Sequence, residues 1–264
     1  MNFQPKLKEV EMKNMVKNIC AAMVISLCAA GHLSATENNP NNDNKFMEEN
    51  LNLTQEWDKT FPQSDKVDHK KITFHNRYGI TLAADLYVPK NVTGKLPAIA
   101  ISGPFGAVKE QASGLYAQTL AERGFLTIVF DPSYTGESSG QPRYVASPDI
   151  NTEDFSAAVD YLSTRDDVDA ERIGILGICG WGGMALNAAA IDTRIKATVT
   201  ATMYDMSRVN ANGYFDSMNA DARHELRCQL NAQRTEDYRN GTFALGGGVV
   251  DPLSLIHISE PTRH

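Results

Sequence analysis

The 264-residue chain has 42% hydrophobic and 22% charged residues, a composition that suits one α/β domain with a real core and excludes a disordered protein. Its formal net charge is −7, and residues 36–252 alone carry 20 Lys and Arg against 29 Asp and Glu, a net of −9. This acidity argues against contact with a phosphate backbone, so nucleic acid is not an expected partner.

Residues 1–35 are predicted to be a secretory signal, which places the mature protein in the periplasm or outside the cell. Lys13 and Lys17 precede the apolar run "ICAAMVISLCAA", and small residues end at Ala35 as a cleavage site. The apolar run is about a dozen residues long, whereas a membrane-spanning helix needs roughly 20, so no membrane span is predicted. Removing the signal leaves Cys179 and Cys228, too few cysteines for a disulfide framework.

Residues 36–64 are polar and Asn-rich, which indicates a flexible leader with one short helix in "FMEENLNLTQEWDKTF". The predicted domain, residues 65–252, then begins with a hairpin in "KKITFHNRYGITLAADLYVPK", turning at residues 76–79. The apolar run "KLPAIAISG" predicts a buried strand. A helix follows in "SGLYAQTLAERG", with Ser113 as its N-cap and Gly124 at its end.

The rest of the domain continues this alternation. "FLTIVFD", "RIGILGI" and "IKATVTATMYDM" predict further buried strands, and "GMALNAAAI" predicts a helix. Another helix lies in "NTEDFSAAVDYLSTRDDVD", capped by Asn151 or Thr152. Alternating strands and helices predict an α/β fold, a mostly parallel sheet with helices on both faces. Ligand sites in such sheets lie at the carboxyl ends of the strands.

Cys179 falls at such an end, within Gly177-Ile178-Cys179-Gly180. A sharp strand-to-helix turn would place its thiol above the sheet, where the helix N-terminus favours a thiolate and a developing oxyanion. The flanking glycines supply the small side chains that such a turn needs, as in G-x-S-x-G with cysteine in place of serine. The alternative is a small apolar residue that ends a core strand.

Four motifs follow one another across roughly residues 65–208: "NRYGITLAADLYVP", "SGPFGAVKEQ", "FDPSYTGESSGQPR" and the Cys179 turn. In this order they resemble an α/β-hydrolase of the dienelactone-hydrolase-like group. The resemblance implies that Cys179 is the nucleophile and that the backbone N–H of Gly180 forms half of an oxyanion hole. The loop of residues 103–106 supplies the other N–H, and since Pro104 has none, Phe105 is expected, with Gly106 as second choice.

One departure from the family pattern is Trp181, which stands two residues after the cysteine where the family has glycine. Gly182 and Gly183 are expected to move the close backbone contact along by one residue. Other polar residues are expected to be structural rather than catalytic. Asp131 and Glu137 would shape a loop, Tyr134 would line the pocket, Lys109, Glu110 and Gln111 would form a solvated helix start, and Cys228 would be structural.

A cysteine nucleophile requires a histidine base and an acid that orients it, which in this family follow the nucleophile along the chain. His69 and His75 precede Cys179, and His224 lies in a polar segment, about residues 207–240, that is predicted to be a lid. Residues 253–264, "LSLIHISEPTRH", match the translation of a transposase sequencing adapter and are expected to be an artefact. The fold is therefore expected to be incomplete at its C-terminus, with the acid and base missing.

The leading hypothesis is an exported hydrolase of small-molecule esters or lactones, acting through a thioester at Cys179 without metal or cofactor. A peptidase-like or acyl-transferring α/β-hydrolase is the enzymatic alternative. The alternative from another class is a non-catalytic binding protein, or a redox-sensing thiol, on a hydrolase scaffold.

Overall fold

The computed structural model describes residues 49–245, so the predictions on the signal, on residues 36–48 and on residues 253–264 lie outside the described part. The strands are β1 (Val67–His75), β2 (Thr81–Pro89), β3 (Leu96–Ser102), β4 (Leu126–Phe130), β5 (Val168–Ile178) and β6 (Ile195–Ala201). The helices are α1 (Ala112–Ala121), α2 (Pro148–Ser163), α3 (Gly180–Ile191), α4 (Met206–Asn212) and α5 (Ala220–Asn240), with a 3₁₀ turn at Tyr214–Asp216.

The six strands form one sheet in the order β1-β2-β4-β3-β5-β6. β1 and β2 form the predicted antiparallel hairpin, which pairs His75 with Thr81 across a turn where Gly79 has a φ of 77°. β2 also runs antiparallel to β4, whereas β3, β4, β5 and β6 are mutually parallel. The predicted mostly parallel α/β sheet is confirmed, and the carboxyl ends of four strands meet at one edge.

Helices cover the two faces of the sheet to different extents. On one face, α2 and α3 bury Phe155, Leu162 and Met184 in the larger core cluster. On the other face, α1 packs over β2, β3 and β4, and its Ala117 and Ala121 lie in the smaller cluster. The prediction of a buried strand at β6 is wrong, because β6 pairs only with β5 among the described strands and α1 packs over β2, β3 and β4 instead.

Both predicted helix caps are wrong. α2 begins four residues early, with Ser147 Oγ accepting from the Ile150 N–H at 3.4 Å and Pro148 in the first turn. Ser113 is buried inside α1, where the residue before the helix, Gln111, makes no capping hydrogen bond. Apolar periodicity located both helices but not their first turns.

Residues 49–61 contain neither helix nor strand, so the described part of the predicted short helix is not formed. This segment lies against the domain through specific contacts. Trp57 Nε1 donates to the Phe61 carbonyl at 2.8 Å, and Phe61 is buried with its ring against Gly114. Between residues 49 and 245, no helix is both long enough and apolar enough to cross a bilayer.

Candidate active site

Cys179 lies at the sharp turn between β5 and α3, with a φ of 58° and a ψ of −125°. A non-glycine residue in this region costs about 1–3 kcal/mol, so neighbouring contacts must hold it there. Its N–H donates to the Ala201 carbonyl at 2.9 Å, and its own carbonyl accepts from the Gly182 N–H at 3.0 Å and the Tyr204 N–H at 3.4 Å. The end of β6 and the start of α3 therefore fix the turn, with the thiol half-buried.

Two glycines make this turn sterically feasible, as the sequence pattern predicts. A Cβ on Gly177 would lie 2.3 Å from the Trp181 carbonyl oxygen, and a Cβ on Gly180 would lie 2.0 Å from the Phe105 ring. The first of these contacts is with backbone, which cannot move aside without opening the turn. Gly177 is therefore required by the path of the chain, and Gly180 by the ring that covers it.

Trp181 is accommodated in a way that the sequence did not indicate. Its side chain is buried, and its ring packs edge-on against Phe105 with centroids 4.4 Å apart. The Trp181 Cβ fits because position 103 is glycine. A Cβ on Gly103 would lie only 2.8 Å from the Trp181 Cβ. Gly182 instead faces Met203, whose Cγ would be 2.7 Å from an added Cβ. The expectation that the close contact moves along to Gly182 is therefore confirmed, whereas Gly183 has no close neighbour and Gly103 makes the room for the Trp181 Cβ.

The two predicted oxyanion donors lie on loops that meet at this turn. The N–H of Gly180 is in the first turn of α3, where no acceptor within the helix is available. Phe105 follows β3, and within residues 49–245 no acceptor lies within hydrogen-bonding distance of its N–H. The contact of the Phe105 ring with Gly180 brings the two residues together. An oxyanion could accept from both N–H groups if they converge on it.

None of the described histidines supports Cys179 as a base. His69 and His75 lie on β1, which is four strands from β5 in the sheet, a separation of roughly 19 Å at the usual strand spacing. His69 Nε2 lies 2.8 Å from Asp85 Oδ1. His224 lies on α5, where its Nε2 is 3.6 Å from Cys228 Sγ, and this cysteine is exposed.

A second group of titratable residues, which we call the Lys109 cluster, lies on the loops after β3 and β4, on the adjacent hairpin strands and on the segment before β1. Lys109 was expected at a solvated helix start, but its side chain is fully buried. Its Nζ lies 2.9 Å from Asp131, 2.7 Å from Glu137 and 2.5 Å from Glu110. The other members are Asp58, Lys59, His69, Lys71 and Asp85.

The carboxylates of the Lys109 cluster respond differently to burial. Burial raises the pKa of Asp131, despite the opposing charge of Lys109. For Glu137, burial acts in the same direction, but hydrogen bonds from Lys109 and Lys71 outweigh it and lower the pKa to about 2. Oxygens of Glu110, Asp131 and Glu137 lie within 4.8 Å of one another, as in a metal site, but the Lys109 ammonium already lies among them.

Asp131 shapes the loop after β4, as predicted. One of its oxygens accepts from the Lys109 N–H at 2.8 Å, and the other accepts from the Glu137 N–H at 2.9 Å. These bonds join residues that are six and 22 positions apart. One indirect feature of the sequence indicated that Lys109 is buried, namely the acidic residues that follow β4.

The chain is similar to one protein family and to several curated proteins. The family model for X-Pro dipeptidyl-peptidase (S15 family) matches residues 78–243. Protein PA2218 of Pseudomonas aeruginosa is 63% identical over 85% of this chain and 60% of its own length. YcjY of Escherichia coli is 42% identical over 67% of this chain and 59% of its own. Thiohydrolase aneE of Aspergillus aculeatus is 29% identical over 52% of this chain and 42% of its own.

Solved structures share the fold. The crystal structure of PA2218 superposes with a TM-score of 0.74 at 64% identity, covering 80% of this chain and 67% of that one. The α/β-hydrolase GrgF from Penicillium sp. sh18 superposes with a TM-score of 0.60 at 20% identity, covering 74% and 68%. The chain spans about 60% of the length of the first two curated relatives. With a family match over most of the described domain, the chain belongs to the S15 peptidase family of the α/β-hydrolase superfamily.

Proposed function

We propose that this chain is the greater part of an exported hydrolase of small-molecule esters or lactones, similar to dienelactone hydrolases, with Cys179 as its nucleophile. The observation that carries the proposal is the backbone of Cys179, held at a φ of 58° where a parallel strand turns into a helix. A strained turn residue with a reactive side chain, at the carboxyl edge of the sheet, is the arrangement of a nucleophile elbow.

The proposed reaction has two steps. The Cys179 thiolate attacks the substrate carbonyl carbon, and the electron pair of the carbonyl bond moves to its oxygen, which accepts hydrogen bonds from the N–H groups of Gly180 and Phe105. Collapse of this intermediate breaks the C–O bond, and the alkoxide leaves as an alcohol after protonation. Water then attacks the thioester, which releases the carboxylic acid and restores the thiol.

We further propose that the base and the acid lie outside the described residues. Two observations support the idea that further strands and helices complete the domain. Val199 on the edge strand β6 is 54% exposed, and an apolar groove of about 830 Å³ runs between α1 and the sheet, past Ile99, Leu115 and Leu176. Expressing residues 36–252 beside the longer gene product tests this. A soluble monomer with comparable turnover would contradict the proposal.

Thioester or peptide hydrolysis is the second candidate reaction. The S15 family match is to peptidases, and one relative is a thiohydrolase. The turn at Cys179 suits both reactions, so the substrate that binds determines which reaction occurs. Turnover of p-nitrophenyl acetate, an acyl thioester and an X-Pro p-nitroanilide by one preparation would separate the three reactions. Turnover of the anilide alone would replace the ester proposal.

The central experiment tests the nucleophile. Iodoacetamide should inactivate the longer gene product by alkylating Cys179, and Cys179→Ala should lose several orders of magnitude in kcat. Cys228→Ala is the matched control, because Cys228 is exposed on α5 and should leave turnover unchanged. Full activity in Cys179→Ala, or inactivation that maps to Cys228, would refute the assignment and favour a binding protein on a hydrolase scaffold.

A further inference from the structure

A pocket of about 340 Å³ lies beside the first two turns of α3, at the low end of the volumes of small-molecule sites. We call it the methionine pocket, since three of its lining side chains are methionines. Its walls come from α3, from the start of α2, from the segment that joins β6 to α4 and from α4 itself. The lining residues used below are Gly180, Met184, Met203, Tyr204, Asp205 and Met206.

The methionine pocket adjoins the Cys179 turn, although Cys179 itself does not line it. Gly180, which follows the cysteine, lines it directly. Tyr204 lines it too, and its N–H donates to the Cys179 carbonyl at 3.4 Å. Met203 packs against Gly182 of the same turn, since a Cβ on Gly182 would lie 2.7 Å from Met203 Cγ. A molecule whose carbonyl reaches the Cys179 thiol therefore has this pocket next to it.

The lining is mostly apolar and favours an apolar guest. Its polar members are Asp205, Asn187, Ser207 and Asn210. Met184 is buried, Met206 is half-buried and Met203 is 44% exposed, so thioethers lie at several depths. Methionine side chains adapt to flexible guests because three bonds rotate freely. Asp205 is already engaged, since it accepts from the Ser207 hydroxyl at 2.6 Å and the Arg208 N–H at 3.0 Å. No Lys, Arg or His is among the described lining residues, so nothing there would attract an anion.

We infer that the methionine pocket binds the unbranched alkyl chain of the substrate whose carbonyl reacts at Cys179. The inference rests on the proposed function for the position of that carbonyl, but the pocket and its affinity for alkyl chains can be measured without any catalysis. It narrows the substrate class from esters in general to those of aliphatic acids of medium length.

The first experiment detects the pocket directly. The protein labelled with [methyl-¹³C]methionine is titrated with 1-hexanol, and with 1,6-hexanediol as the polar control. We expect saturable shifts of the Met184, Met203 and Met206 methyl signals with hexanol only. Met218 is the internal control, because it does not line the pocket. Hexanol shifts that do not saturate, or that are equally large at Met218, would overturn the inference.

Substitution of Met203 sharpens this test. Its exposure makes the fold tolerant of replacement, so Met203→Asp should abolish the saturable shifts of Met184 and Met206, whereas Met203→Leu should keep them. Retention of the shifts in both variants would mean that hexanol binds elsewhere and would overturn the inference.

The second experiment links the pocket to the thiol. N-hexyl and N-methyl iodoacetamide are compared at Cys179, with the exposed Cys228 as reference in the same molecule. Burial of one methylene favours binding roughly four-fold, so the hexyl to methyl rate ratio at Cys179 should exceed that at Cys228 by at least about ten-fold. Equal ratios would overturn the pocket inference but leave the nucleophile intact. If Cys179 reacts with neither reagent, the proposed function fails, and the hexanol titration still decides on the pocket.

Discussion

The Cys179 turn and the Lys109 cluster follow neighbouring strands at one edge of the sheet, yet they differ in how their polar groups are partnered. In the Lys109 cluster, each ammonium has two or more carboxylates within 3.4 Å. At the turn, the thiol makes no hydrogen bond within residues 49–245, while the backbone is held in a strained conformation. The Lys109 cluster is thus held together by its own ion pairs, whereas the thiol has no hydrogen-bond partner among the described residues.

Lys109→Met should have the largest effect on stability, because it leaves the fully buried Asp131 without its ammonium. Removing one partner of a buried ion pair costs about 3–5 kcal/mol. Urea unfolding should show this loss, and the double variant Lys109→Met/Asp131→Asn should recover part of it. Alkylation of Cys179 in the folded fraction should stay within about two-fold of wild type. A loss of thiol reactivity as large as the loss of stability would break the contrast between the two regions.

Gly177→Ala should act in the opposite way, with its main effect on the thiol. The new Cβ would meet the Trp181 carbonyl oxygen at 2.3 Å, which displaces the turn. A misplacement of about 1 Å can cost 10²-fold in rate, so we expect a drop of that order in esterase kcat/KM. Gly183→Ala is the matched control in the same turn, since its Cβ would lie 3.8 Å from the nearest atom. Equal activity in the two variants would refute the role of the tight turn.

Acid should weaken the Lys109 cluster before it affects the turn. Glu137 has a pKa of about 2 against an ordinary 4.5, and Asp58 about 2 against 3.8. Because both values are lowered by folding, these carboxylates stabilise the fold above their ordinary pKa and lose that contribution as the pH falls toward 2. Asp131 works in the opposite direction, since burial raises its pKa.

Urea midpoints at pH 7, 4.5 and 3 measure this dependence. Glu137→Gln should be less stable than wild type at pH 7 and should approach it at pH 3, which gives a shallower slope. Glu56→Gln, at an exposed position, is the control and should follow wild type. Parallel curves for wild type and Glu137→Gln would show that the low pKa of Glu137 does not contribute to stability.

Ser147→Ala should have the smallest effect on the free energy of unfolding, and the other losses of stability can be compared with it. Loss of an N-cap typically costs about 1 kcal/mol. Thermal unfolding should register the loss without a change in Cys179 alkylation. Ser113→Ala, at the position where the sequence pattern placed a cap, should be nearly neutral because Ser113 lies inside α1. A larger loss for Ser113→Ala would contradict the observed helix boundaries.

Local patterns predicted the hairpin, the parallel strands and the turn at Cys179, because each depends on residues that are close in sequence. Ser147 was missed although Pro148 follows it, since the apolar periodicity of α2 starts later than its first turn. Lys109 was missed because the partners that make its burial tolerable lie 22 and 28 positions further on. The exposure of β6 was missed because residues 197–201 carry no charge, and such a run is interpreted as buried whether or not its neighbours are present.

The contact between Gly103 and Trp181 constrains the order in which mutations can accumulate. A side chain at position 103 would strike the Trp181 Cβ at 2.8 Å, so tryptophan at position 181 depends on glycine at 103. The reverse dependence is absent, because Gly103 has a φ of 99° and its Cβ would still meet the Ile178 carbonyl oxygen at 2.4 Å if position 181 were glycine. The dependence therefore runs one way: tryptophan at position 181 requires glycine at position 103, whereas glycine at position 181 would still leave no room for a side chain at position 103.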